Sequence, residues 1–321
     1  MSPSAPDYSG PAFTGLVARL DELIAARPGG RDGFGTSGRV RTRQMGGYRS
    51  PFRGRGMEFD EVRAYQPGDD IRTIDWRVTA RTGRTHTKLF QEERERPVLI
   101  LMDARAFMRF GTRACFKSVL AAKAAAVLAW TSMDGGDRVG GLLVTPYALK
   151  VFSAERSRSR VLGFVKGMAE ATQVGFGVPP PEVEPSLAEA FARLRHAARP
   201  GTLVFIVSDF HDFDGEAAKE LNRLSHHAHI TNVFVYDALE AATPARGAYP
   251  VSDGEAVATL DADRDAVRQA YARRFAMRRE AVEEAARSRG MSFLMLRTGE
   301  DPAEALHPER LARKMRAGAA A

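Results

Sequence analysis

Short apolar runs recur along the last two thirds of the chain: VLILMDA (98–104), DRVGGLLV (137–144), ALKVF (148–152), TLVFIVSDF (202–210), ITNVFVYDA (230–238) and SFLMLRT (292–298). Near-continuous runs of this length predict strands buried on both faces, as in a parallel sheet. Between them lie segments of helical length at 113–133, 156–171, 186–198, 214–227, 263–289 and 301–316. Val119, Ala122, Ala126 and Trp130 form an apolar stripe at helical spacing on the first. The alternation predicts an α/β fold with a doubly wound, mostly parallel sheet. DRVGGLLVTPYALKVF reads as a hairpin turning at Thr145-Pro146-Tyr147, which adds one antiparallel edge strand. Residues 239–262 hold two weak strands, 248–251 and 256–260, and read as an excursion at the sheet end.

Upstream of Pro97 the pattern changes. One helix is expected over 12–26, with Phe13, Leu16, Leu20, Leu23 and Ile24 on one face and Gly29-Gly30 ending it. Residues 28–57 are a loop rich in Gly and Arg, longer than most loops that lack a function. Two regions are therefore expected. Residues 1–97 carry the helix, the loop and the segment after it, packed on a main α/β domain at 98–321.

Composition narrows the picture. Of 321 residues 44% are hydrophobic, enough for a buried core, and a single cysteine excludes a disulfide framework or a Cys-based zinc site. The N-terminus has neither the basic nor the apolar region of a secretory signal. No apolar stretch approaches the ~20 residues of a membrane-spanning helix, so a cytoplasmic protein is expected. The net charge of +7 is uneven: residues 1–57 hold nine Arg and four acids (+5), leaving 38 cations and 36 anions (+2) elsewhere. Arg39, Arg41, Arg43, Arg49, Arg53 and Arg55 are therefore a candidate partner surface. With Tyr48 and Phe52 available for stacking, the same loop could bind nucleic acid or another polyanion.

In a doubly wound sheet the carboxyl ends of the strands carry the chemistry. Asp103 and Asp209 end two of the predicted strands. They either converge on one crevice, where Mg²⁺ could bind, or cap helices and accept Arg hydrogen bonds. His211, Asp212 and Asp214 read as a loop with a helix N-cap. In 56–95, Asp69, Asp70 and Asp75 could form a two-metal hydrolase cluster. The interleaved Arg63, Arg72, Arg77, Arg81 and Arg84 favour an ion-pair network, with Trp76 as its apolar anchor. There is no P-loop, no GxGxxG after a strand, no GxSxG and no HExxH. No catalytic residue and no cofactor are assigned.

The run GRGMEFDEVRAYQPGDDIRTIDW, followed by Ala80-Arg81 and KLFQEE, closely resembles the hallmark segment of the bacterial "domain of unknown function 58" family. Gly56, Glu58, Phe59, Arg63, Tyr65, Gly68, Asp69, Asp70, Arg72, Asp75, Trp76, Arg81 and Lys88 carry the match. GDRVGGLLV, LVFIVSDF and VYDALE fit later parts of the family. The resemblance implies a von Willebrand factor A-like domain. It also implies a non-enzymatic adaptor role beside a MoxR-type AAA+ ATPase.

Von Willebrand A domains bind Mg²⁺ through D-x-S-x-S, a Thr from a middle loop and a later Asp. On that template Asp103 and Asp209 match, while Arg105 and Phe107 replace both serines. The threonine position falls on Pro185, beside Ser186. The resemblance thus implies a degenerate metal site, in which Arg105 is expected to bridge Asp103 and Asp209 where the ion would sit.

Overall fold

The structure, a computed structural model, describes residues 13–29, 57–67, 69, 71–92, 96–175, 178, 181–242, 245–252 and 257–311. They form two compact units, an α/β unit of 13–29 with 96–311 and a small unit of 57–92. The N-terminal residues 13–29 therefore group with the α/β unit, a different division from one at residue 97.

The α/β unit begins with a tight turn at 13–17 and helix α1 (Leu20–Ala25), shorter than the 12–26 expected. Gly15 sits at φ +80°, and a Cβ on it would lie 2.7 Å from the Ala114 carbonyl, so the chain turns there instead of winding. Trp130 Nε1 donates to the Leu23 carbonyl at 2.9 Å and ties α1 to the domain.

The small unit is an antiparallel pair, β1 (Met57–Ala64) and β2 (His86–Glu92), bridged by a 3-10 turn at Ile71–Thr73 and helix α2 (Trp76–Thr82).

The α/β unit resumes with β3 (Pro97–Asp103), α3 (Lys117–Asp134), β4 (Arg138–Val144), β5 (Leu149–Glu155), α4 (Arg158–Gln173) and α5 (Leu187–Ala197). Then come β6 (Thr202–Ser208), α6 (Gly215–Ser225), β7 (Ala228–Tyr236) and α7 (Ala238–Ala241). The excursion is a separate hairpin of β8 (Ala248–Ser252) and β9 (Val257–Asp261). Helix α8 (Asp265–Arg287), β10 (Ser292–Arg297) and α9 (Pro302–Ala305) complete the unit. The helix expected over 301–316 breaks after four residues, with one further turn at 308–311; residues beyond 311 lie outside the described set.

The main sheet has the order β10-β7-β6-β3-β4-β5, parallel except for β5. Counted along the chain within this sheet, that is 3-2-1-4-5-6, the doubly wound order. Its switch point falls between β3 and β6, where a crevice opens at the carboxyl ends. All seven positions of β6 are buried, as a strand covered on both faces requires.

Along β3 the side chains alternate between two cores. Val98, Ile100 and Met102 pack with α3 and α4, whereas Leu99 and Leu101 pack with α5, α6 and α8. Each such side chain contributes about 1.5–3 kcal/mol. Helix α3 has 15 of its 18 residues buried, and its alanines let it lie close to the sheet. A Cβ on Gly141 would meet the Ile100 carbonyl at 2.0 Å and Phe164 at 2.7 Å, which explains a glycine inside a strand.

Candidate functional site

Asp103 is the last residue of β3, and Asp209 directly follows β6, so neighbouring strands carry both carboxylates to the crevice. The crevice holds about 320 Å³ and is lined by the 103–108, 181–184 and 209–212 loops.

Arg105 fills its floor, with its side chain only 7% exposed. Nε donates to Asp103 Oδ1 at 3.0 Å. One terminal nitrogen donates to Asp103 Oδ2 and Asp212 Oδ1, both at 2.8 Å. The other donates to Asp212 Oδ2 at 2.8 Å and to the Pro185 carbonyl at 3.0 Å. These five bonds use all five N–H groups of the guanidinium. Ser208 Oγ donates to Asp103 Oδ2 at 2.7 Å, completing that carboxylate.

The second acid bonded to Arg105 is therefore Asp212, which corrects the expected pairing with Asp209. Asp209 turns to another cation: Lys117 Nζ, at the first residue of α3, donates to its Oδ2 at 2.6 Å and to Glu240 Oε1 at 2.9 Å. Lys117 is 1% exposed. A cation in the first turn of a buried helix opposes the helix dipole, so it needs its two carboxylates. The turn that separates the two acids is strained. Phe210, between Asp209 and His211, has φ 52°, the only positive φ of a non-glycine residue among those described. Its N–H is held by Ser208 Oγ at 2.9 Å.

The charge states follow from this packing. Burial alone would lower the pKa of Arg105, but the charge and bonds of Asp103, with those of Asp212, outweigh it and raise it. Burial pushes Asp212 up, and Arg105 with the Leu187 N–H pulls it below the usual carboxylate range. For Asp209, burial is overcome by Lys117 and Arg278, and the net shift is again downward. Burial, aided by Arg278 and Arg274, lowers His211 and favours its neutral ring. Burial raises Glu184, whose Oε1 accepts the Ala106 N–H at 3.2 Å.

The remaining template positions have other uses. Ser186 caps α5 in a reciprocal box with Glu189. Asp214 caps α6, as the sequence reading expected. Phe107 is 56% exposed and stacks on His211 with ring centroids 3.4 Å apart. Mg²⁺, which the resemblance implies, does not fit this donor set. Phe107 offers no oxygen, the Pro185 carbonyl and both Asp103 oxygens are bonded to Arg105, and Asp209 is engaged by Lys117. Among the described residues, no three of His, Cys, Asp and Glu are grouped to hold a metal.

In the small unit, Glu58 and Phe59 lie on β1 and Lys88 on β2, opposite Val62. Arg63 pairs with Asp69 at 2.7 Å, and Asp69 also accepts the Gln66 N–H at 2.9 Å. Tyr65 OH donates to the Asp69 carbonyl at 3.3 Å. Asp75 caps α2 through the Arg77 and Val78 N–H groups, and Arg72 lies in the 3-10 turn. Asp69 and Asp75 are thus committed to a turn and a cap, not brought together as a hydrolase cluster. Trp76 and Arg81 are exposed on α2. Gly56, Gly68, Asp70, Arg39, Arg41, Arg43, Tyr48, Arg49, Phe52, Arg53 and Arg55 lie outside the described residues.

A 3-2-1-4-5-6 sheet with an antiparallel outer strand and acids at its switch point defines a doubly wound α/β protein. The family model described as "Protein of unknown function DUF58" matches residues 61–281, and the chain belongs to that family. It is 31% identical over 249 residues to "Uncharacterized protein Rv1480" of Mycobacterium tuberculosis (strain ATCC 25618 / H37Rv), covering 77% of each chain. "Uncharacterized protein Mb1516" of Mycobacterium bovis matches to the same extent. The crystal structure of the conserved hypothetical protein BatB from Bacteroides thetaiotaomicron aligns with a TM-score of 0.42 at 12% identity, covering 70% of this chain and 98% of that one. No helix among the described residues is long and apolar enough to cross a membrane.

Proposed function

We propose that the chain is a non-enzymatic protein-interaction module, an adaptor in the cytoplasm for a MoxR-type AAA+ ATPase, whose crevice works without Mg²⁺. One observation supports the metal-free reading: Arg105, which stands where the resemblance puts a metal-ligating serine, has all five guanidinium N–H groups bonded to Asp103, Asp212 and Pro185. A metal-dependent module recruits a partner through an open coordination position; here fixed charge takes the place of the ion. The committed roles of Asp69 and Asp75 weigh against hydrolysis.

The test is twofold. In calorimetric titration the full chain should take up no Mg²⁺ at millimolar concentration. When mixed with the MoxR-type ATPase of the same genome, it should co-elute in size-exclusion chromatography, in EDTA as in Mg²⁺. A stoichiometric Mg²⁺ isotherm would sink the metal-free reading, and separate elution in both buffers would sink the adaptor reading.

A further inference from the structure

The charged residues lining the crevice are mainly acids. Its lining holds five acids, Asp103, Glu182, Glu184, Asp209 and Asp212, against one cation, Arg105. The three aspartates are paired from within, Asp103 and Asp212 sharing Arg105 and Asp209 bound to Lys117, so the pairing leaves the crevice net negative. Arg105 has no N–H left to receive an anion. Glu182 and Glu184, on the 181–185 segment at the mouth, have no ion-pair partner among the described residues. Glu184 feels the charges of Arg105 and Arg109, but Glu182 is exposed, so an incoming carboxylate would meet two acids at the mouth.

The rim of the same crevice is apolar and exposed. Phe107 is 56% exposed, with one ring face covered by His211, and Val183, between the two glutamates, is 84% exposed. Large apolar side chains presented beside a crevice mark an interaction surface, and an aromatic face also attracts a cation. A volume of about 320 Å³ accepts one long side chain rather than a folded element. On these grounds of charge complementarity and shape, we propose that the crevice docks a partner-protein segment in which an arginine or lysine is flanked by apolar residues. The cationic head would seat against Glu182 and Glu184, and its neighbours would cover Phe107 and Val183. This proposal rests on the interaction-module reading and adds to it the chemistry of the partner.

A phage-displayed library of random twelve-residue peptides, panned on the full chain in EDTA, tests it. The recovered peptides should carry Arg or Lys between apolar residues. Their affinity, read by fluorescence anisotropy, should fall about tenfold or more in the Glu182→Gln/Glu184→Gln variant, and similarly in Phe107→Ala. Both variants should keep the wild-type melting temperature to within a few degrees, since these side chains are exposed or conservatively changed. Peptides centred on Asp or Glu, or cationic peptides indifferent to these substitutions, would overturn the proposal while leaving the adaptor reading intact. Recovery of no peptide would also count against it. Only separate elution from the ATPase, measured independently, bears on the adaptor reading itself.

Discussion

Replacing Arg105 by alanine would strip five hydrogen bonds from the crevice floor and leave two carboxylates without their cation. The two acids differ in what remains. Asp103, with a side chain 1% exposed, keeps only the Ser208 hydroxyl and the backbone N–H of residue 105. Asp212 is 34% exposed and keeps the Leu187 N–H, so water relieves part of its loss. Most of the penalty therefore falls on Asp103. Removing one member of a buried ion pair costs about 3–5 kcal/mol. At about 2–4 °C per kcal/mol for a domain of this size, the melting temperature should drop by roughly 6–20 °C.

The pH dependence has a definite sign. The folded pKa of Asp212 in the wild type is lowered, so its pairing stabilises above the unfolded value of about 3.9 and is lost as pH falls through the folded one. In Arg105→Ala the guanidinium that holds Asp212 down is gone, so that pairing is no longer lost as pH falls. The gap between the two proteins should be widest near pH 7 and should narrow toward pH 4. Urea denaturation at both pH values measures it. A second variant, Arg105→Met with Asp103→Asn, should recover much of the loss, because no unpaired charge then remains on β3. A loss below about 1 kcal/mol at pH 7, or a gap that does not change with pH, would refute the reasoning.

Three other outcomes are expected. Lys117→Met leaves Asp209 and Glu240 facing each other and should cost about 3–5 kcal/mol by urea denaturation at neutral pH. Gly141→Ala drives a Cβ to 2.0 Å from the Ile100 carbonyl, and should cost at least the upper end of the ~1–3 kcal/mol usual for overpacking, read as a lower melting temperature. Asp214→Ala removes the cap of α6, whose side chain accepts the Glu216 and Ala217 N–H groups, and should cost about 1 kcal/mol in the same assay.

The sheet and its helices are legible in the chain because a strand covered on both faces must be largely apolar, and β3 and β6 obey that rule between their ends while β7 still buries Thr231 and Asn232. The ends of the molecule were less legible. Gly15 breaks the expected N-terminal helix through a close approach to Ala114, a contact far away in sequence.

At the site, Asp103 and Asp209 are legible from their places at strand ends and Arg105 from the resemblance, whereas the pairing among them is not. Arg105 and Asp212 are 107 residues apart, and the strained turn at Phe210 decides which acid faces which cation. Lys117 escaped notice altogether. Its signal was present: a lysine opening an Ala-rich, otherwise apolar helix can be buried only where acids wait for it.

A bound ion occupies its site according to its concentration, and it can be chelated, exchanged or shared with an incoming ligand. The positive charge on β3's exit loop is a side chain, so its occupancy is complete at any ionic composition and no chelator can remove it. Its partners are equally permanent, since Asp103 and Asp212 belong to the same chain. Asp103 and Asp212 are therefore held together by the chain itself, whatever the divalent-ion supply.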